Sequence, residues 1–182
     1  MKLSWPLVDY EMRKRVSPRM PRLYFDAAFD PRSYPVKAIR GYGVAEPLLE
    51  PEETGLGVAE NCFVGRMRIK CRYLPLWEVE VKSTNGLRII DVFMAIYNTY
   101  SRPLTREEKN TIGSEYLEKC RKSFLQRCED SPGLTYLEER KGMLRIDIMR
   151  GRRLFKGLVP IQGTTDYYEL IFDDTPIETR RR

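Results

Sequence analysis

The residues of this sequence best placed to do chemistry are arginines. Arg150, Arg152, Arg153 and Lys156 crowd a single turn, and Arg145 stands just upstream. Guanidinium groups clustered this way can hold phosphates, with Tyr24, Tyr73 or Tyr167 as stacking partners for bases. They can also pair with carboxylates of the same chain or of an acidic protein partner. The second use is the commoner. The net charge of +6 is modest, and no helix-turn-helix, zinc-finger or RNA-recognition signature accompanies the cluster. Arg145 and Asp147 fall two residues apart, on one face if the segment is a strand. That spacing fits a structural ion pair better than a catalytic Asp oriented by Arg. Cys128 beside Arg127 could be a thiol of lowered pKa, but no base lies near it in sequence, so it is read as core. Gly151 and Gly157 lack the spacing, and the following Lys-Ser/Thr, of a phosphate-cradling loop.

The chain contains no histidine. That removes Ser-His-Asp and Cys-His nucleophile activation and the commonest general base at neutral pH. Carboxylate pairs remain, but no spacing picks one out. Cys62, Cys71, Cys120 and Cys128 contain no C-x-x-C and have no histidine to complete a mixed zinc site. Cys120 and Cys128 share a helix face about two turns apart, too far to bridge. All four are expected to be free thiols. Neither a catalytic, a cofactor-binding nor a metal-binding residue is assigned, and no cofactor is expected.

These groups must be positioned by a chain of 182 residues with 42% hydrophobic content, enough for one packed domain. Residues 1–21 lack periodicity and read as a basic arm, and 177–182 as a basic tail. A single α+β domain is expected over 22–176. Leu23, Phe25, Ala27 and Phe29 alternate as a half-buried strand. The composition then turns to Pro, Gly and Glu, and an acidic, mobile loop is expected at about 40–65. Met67–Tyr73 and Trp77–Lys82 alternate apolar with charged residues and are read as a hairpin. Its expected register sets Tyr73 opposite Trp77, Cys71 opposite Val79 and Ile69 opposite Val81, with Leu74-Pro75-Leu76 as the loop. Ile89, Val92, Phe93, Ile96, Tyr97 and Tyr100 form a helical stripe ended by Pro103. Thr105 and Glu108 make a capping box that opens a second helix running to about Glu129, with Gly113 a candidate break. Ile112, Tyr116, Cys120, Phe124 and Cys128 are assigned to its inner face. Strands are expected at Leu144–Met149, Leu154–Val159 and Tyr167–Phe172, the last an interior strand because it is apolar on both faces. The whole reads as α+β, a mainly antiparallel sheet with two helices packed on one face.

The succession Trp77-Glu78-Val79-Glu80-Val81, Asp91-Val92-Phe93-Met94-Ala95-Ile96-Tyr97 and Arg102-Pro103-Leu104-Thr105 resembles a domain of unknown function widespread in fungi. Arg145-Ile146-Asp147-Ile148-Met149, with Gly151, Phe155, Gly157 and Leu158, adds to the match. The resemblance spans about residues 20 to 173 and implies an intracellular single domain with no established activity. The family's usual Thr before the first helix is replaced here by Arg88, so Asp91 is expected to serve the helix dipole only. The strand–strand–helix run is also similar to part of a ubiquitin-like fold, an analogy that carries no activity.

The reading that results is a non-enzymatic interaction module. It binds a protein partner through an Arg-rich surface (Arg145, Arg150, Arg152, Arg153, Lys156) and the acidic loop. A nucleic-acid-binding accessory protein is the alternative, and an enzyme using carboxylates the third reading. No apolar run is long enough to span a bilayer, so no membrane association is expected and the cytoplasm or nucleus is the expected location. The sequence does not specify the oligomeric state.

Overall fold

The computed structural model describes residues 3–8, 21–40, 44–50, 52, 57–59 and 62–174. The expected tail at 177–182, and most of the expected arm, lie outside the described residues. Among the described residues the fold is α+β, with two sheets and four α-helices.

The four-stranded sheet is built on the alternation of charged and apolar residues. Strands β4 (Arg66–Lys70) and β5 (Glu78–Lys82) pair antiparallel, turning Met67, Ile69, Val79 and Val81 into the core. Arg68 lies opposite Glu80 and Lys70 opposite Glu78 on the outer face. The register is two residues from the expected one: Ile69 faces Val79, not Val81. The reason lies in the connection. Leu74 N donates to Cys71 O and Trp77 N to Leu74 O, two successive turns that tuck Leu74 wholly inside. A three-residue loop would have left that side chain in water. A slip of two keeps every side chain on its face, so the alternation survives the change. The like-charge pair falls at the strand ends, Arg66 opposite Lys82, and both cations bind Glu80.

Strands β6 (Phe155–Pro160) and β7 (Tyr167–Phe172) also pair antiparallel, with a bulge between Phe155 and Gly157. Strand β7 lies parallel to β4 and inside the sheet, whose order is β5-β4-β7-β6. The outer edge of β6 is met by the N-terminal segment: Val8 bridges Leu158, Leu158 N donates to Leu7 O, and Leu3 and Leu7 are buried.

A second, antiparallel sheet joins β1 (Arg22–Tyr24), β2 (Lys37–Arg40) and β3 (Val44–Pro47). The segment expected to be a loop from about residue 40 to 65 therefore carries a strand. Val58 lies within it, between Leu3↔Ala59 and Gly57↔Arg88 bridges. Val36, Ala38, Leu48, Val58 and Ala59 are buried. Isolated apolar residues among Pro, Gly and Glu concealed these short pairings. The expected strand through Phe29 is also shorter. It stops at Tyr24, because the Asp26 carboxylate accepts from Ala28 N and turns the chain.

Helix α1 (Ile89–Tyr100) buries Ile89, Val92, Phe93, Ile96 and Tyr100 and packs against β5. Phe93 meets Phe25 and Phe155, and Tyr100 meets Phe172. Asp91 does more than serve the dipole: its Oδ2 accepts from Arg88 N at 2.8 Å, one half of a capping box. Helix α2 (Arg106–Ile112) opens on the complete Thr105–Glu108 box, and Gly113, at φ 88°, separates it from α3 (Ser114–Asp130). Helix α4 (Thr135–Lys141), with no buried residue, had no apolar stripe by which to be found.

Two corrections concern the last third of α3 and what it touches. The expected strand at 144–149 is a 3-10 helix, Arg145–Met149, and α3 packs on it rather than on the sheet. Ile146, Asp147, Ile148 and Met149 are all buried, which no half-exposed strand could achieve. Asp147 Oδ2 caps the turn by accepting from Leu144 N at 2.7 Å. The inner face of α3 is accordingly Cys120, Ser123, Arg127 and Cys128, while Tyr116 is exposed and reaches Ile148 O with its hydroxyl.

Candidate functional site

Arg153 begins where the two sheets meet. Residues Phe25–Ala27, just past β1, run beside Arg153–Phe155: Ala27 N donates to Arg153 O, Phe155 N to Phe25 O, and Asp26 bridges Leu154. This ladder aims the Arg153 and Asp26 side chains at each other. Arg153 Nε donates to Asp26 Oδ2 at 2.8 Å and Oδ1 at 3.1 Å, and Nη2 donates to Asp130 Oδ2 at 2.5 Å. Gln126 Nε2 holds the other oxygen of Asp130. The guanidinium lies over the Phe29 ring, 5.4 Å from its centroid. Arg153 and Asp26 are buried. Burial pushes the Asp26 carboxyl above its ordinary range, against the Arg153 charge and the Ala28 amide. Burial also works against the Arg153 charge, but the two carboxylates outweigh it and hold the guanidinium charged.

Beside this cluster lies a cleft of about 350 Å3. Phe25, Phe29, Tyr34, Pro35 and Leu154 form its apolar walls, and Lys37, Asp26, Asp130 and Arg153 its polar ones. Tyr24 stands at it, partly exposed.

Two further arginines are consumed inside the fold. Arg127 donates Nε and Nη2 to the two oxygens of Asp147 at 2.8 and 3.1 Å, and reaches Glu138 and Gly142 O. Arg145 donates to Glu108 at 2.7 Å and to Thr99 O, and lies over the Trp77 ring, whose Nε1 donates to the same Glu108 oxygen at 2.6 Å. Burial would raise the Glu108 carboxyl, but the Thr105 amide, the Trp77 indole and Arg145 outweigh it and hold it below the ordinary range. Arg145 and Asp147 are thus not a pair: residues two apart on a 3-10 turn point in different directions, one to Glu108 of α2 and the other to Arg127 of α3.

The five residues expected to form an interaction surface therefore divide. Arg153 is buried and Arg145 is half-buried against Glu108, whereas Arg150 and Arg152 are exposed and Lys156 is half-buried. Arg150 holds a left-handed backbone, φ 54°, at the end of the 3-10 helix. Of the tyrosines considered for stacking, Tyr73 lies under Arg72. Tyr167 lies under Arg68 and Lys70 and donates its hydroxyl to Glu78.

Asp26, Asp130, Lys37 and Tyr34 were not singled out from the sequence. A signal for the first existed, since Asp26 interrupts the apolar run Leu23–Phe29. A lone carboxylate in such a run must be paired if it is buried. Chemically, the arrangement is a positioned guanidinium. Both carboxylates bind Arg153, so neither is poised as a general base. Burial pushes the thiols of Cys71, Cys120 and Cys128 up, Cys120 to about 11, which makes them inert at neutral pH. Cys62 is exposed, and the four cysteines are free. Among the described residues no group of His, Cys, Asp or Glu could hold a metal ion. Nor is any helix there long and apolar enough to cross a membrane.

A protein-family model matches residues 23–166, which take in the joint, its cleft and both buried ion pairs of α3. The chain belongs to DUF6699, a family of unknown function. The DUF6699 match opens at Leu23, three residues before Asp26, and closes at Asp166, the partner of Arg68. No curated protein and no solved structure matches the chain.

Proposed function

We propose that this DUF6699 chain is a non-enzymatic interaction module that binds a protein partner through its basic turn. The observation that carries the reading is the division of the arginines. Arg127, Arg145 and Arg153 are engaged by internal carboxylates, so Asp26, Glu108, Asp130 and Asp147 are each held in an ion pair. Arg150 and Arg152 remain exposed at the same turn. Binding, not turnover, is what such an inventory supports. Exposed Glu46, on β3, belongs to the acidic segment, which serves as the second contact region in this reading.

Two finer parts go with the proposal. The four-stranded sheet is read as ubiquitin-like in part. Its support is the order β5-β4-β7-β6, two hairpins with α1 between them in the chain, and the parallel central pair β4 and β7. A fungal source and a cytoplasmic or nuclear place of work complete the reading.

Nucleic acid is the second reading, favoured by basic residues beside Tyr73 and Tyr167. On that outer sheet face Arg68, Lys70 and Arg66 stand against Glu80, Glu78 and Asp166. Such balance leaves little positive field to collect a phosphate chain.

Crosslinking in cell extract, with quantitative comparison of wild type and the Arg150→Glu/Arg152→Glu variant, tests the proposal. A protein captured by wild type and depleted at least tenfold by the variant is expected. Equal capture by both would contradict it.

A further inference from the structure

Strand β5 ends the four-stranded sheet, and among the described residues nothing pairs with its outer edge. Ser83 N donates to Gly65 O at 2.9 Å, one step beyond the Arg66↔Lys82 pair. Bonded and non-bonded pairs alternate along an antiparallel ladder. Val79 and Val81 therefore turn their N–H and C=O toward β4, while Glu80 and Lys82 turn theirs away from it. Arg68, opposite Glu80, agrees in phase, since its N–H points the other way, to Asp166 O. Helix α1 packs on the face of β5 and reaches Phe155 and Phe172, so it lies over the sheet and not beyond its edge. Glu78, Glu80 and Lys82 are exposed.

The other outer strands are closed. Leu7 and Val8 meet β6, β1 leads into the ladder with Leu154, and β3 turns outward Pro47, which has no N–H. Strand β5 has neither a proline nor a bulge, and its outer row holds both signs of charge. Two copies laid antiparallel, Val81 against Val81, set Glu80 opposite Lys82 of the second copy, twice by symmetry. Glu80 and Lys82 then exchange their outward N–H and C=O bonds across the join. The register that opposes Glu78 to Glu80 is repulsive. We infer that a second copy of this chain pairs with the β5 edge, joining two four-stranded sheets about a two-fold axis. The charge pattern selects that occupant, because β5 itself supplies a Glu for each Lys and a Lys for each Glu. A join this short lies at the low end of interface size, so the dimer is weak and forms at micromolar concentration or above. The basic turn stands at the start of β6, the opposite edge strand, and stays clear of the join.

Sedimentation of the full chain from micromolar to millimolar concentration, with amide hydrogen exchange at both ends of that range, tests the inference. Dimer should accumulate with concentration. Exchange of the Glu80 and Lys82 amides should slow about tenfold or more, while Val79 and Val81, bonded to β4 throughout, change little. Lys82→Glu and Glu80→Lys should each weaken self-association about tenfold or more. An equimolar mixture of the two variants should associate, since Lys then opposes Glu at both positions. Lys82→Pro, which an edge strand tolerates, removes an outward N–H and should also weaken the dimer. A chain monomeric throughout would overturn the inference, as would a dimer in which Glu80 and Lys82 exchange as fast as in dilute solution. Self-association unaltered by Lys82→Glu and Lys82→Pro would overturn it too. Capture of a protein partner through Arg150 and Arg152 is independent of each of these results.

Discussion

Arg153 and Asp26 lie 127 residues apart in the chain and share two hydrogen bonds at the seam between the sheets. The pair does not hold that seam alone. Backbone bonds on either side of it set the geometry, and Asp130 brings the end of α3 to the same guanidinium. Removing one member leaves a buried charge short of its counter-ion. Asp26→Ala should therefore destabilise the domain by about 3–5 kcal/mol, read from urea unfolding. The double variant Asp26→Leu/Arg153→Met should lose less than the sum of its single changes, because it leaves no orphaned charge. Strict additivity would mean that the two residues are not coupled.

Glu108 makes a pH-dependent contribution whose sign follows from its depressed pKa. A carboxyl held below its unfolded value stabilises the fold above the unfolded pKa, and the effect disappears as pH falls through the folded one. Glu108→Gln should thus cost about 1–2 kcal/mol at pH 7, where Arg145, Trp77 and the Thr105 amide bind the charged form. Wild type and variant should converge toward pH 3. Urea melts at the two pH values provide the check, and a gap that persists in acid would contradict the assignment.

Residues 3–8 pack against the domain through Leu3 and Leu7. Leu7 is fully buried and its carbonyl accepts from Leu158 N on the β6 edge. Leu7→Ala is expected to cost about 2–5 kcal/mol. A loss below 0.5 kcal/mol in chemical denaturation, about what a change on the open surface causes, would show that the segment does not dock.

Gly113 adopts φ 88°, ψ 141° between α2 and α3, with nothing within 4 Å of where a Cβ would stand. The cost of Gly113→Ala is therefore backbone strain alone, about 1–3 kcal/mol. Thermal unfolding that leaves the variant as stable as wild type would place the helix break elsewhere.

How far the sequence announced this fold depended on whether a segment's periodicity had one cause. The stripe of α1, the Thr105–Glu108 box and the two-faced apolar run of β7 each had one, and each was legible. Arg145–Met149 was not. Leu144, Ile146 and Ile148 alternate as a strand would, yet Asp147 is buried because Arg127 awaits it from another element, and no local pattern encodes that distant partner. The same holds at the candidate site. Arg150 and Arg152 could be read from the turn, but the seam depends on Asp26 and Asp130, which are far apart in the chain and far from each other's local pattern. Short strands β2 and β3 were hidden among residues of poor strand propensity, since three or four residues cannot establish a period.

The central claim, a protein-binding surface at the basic turn, is tested most directly by hydrogen exchange of the full chain alone and with its crosslink-captured partner. Amide protection on binding should appear at Arg150 and Arg152 and extend to the neighbouring β6 start near Lys156. Protection confined to the outer face of β4 and β5, or arising instead with single-stranded RNA at physiological salt, would contradict the account.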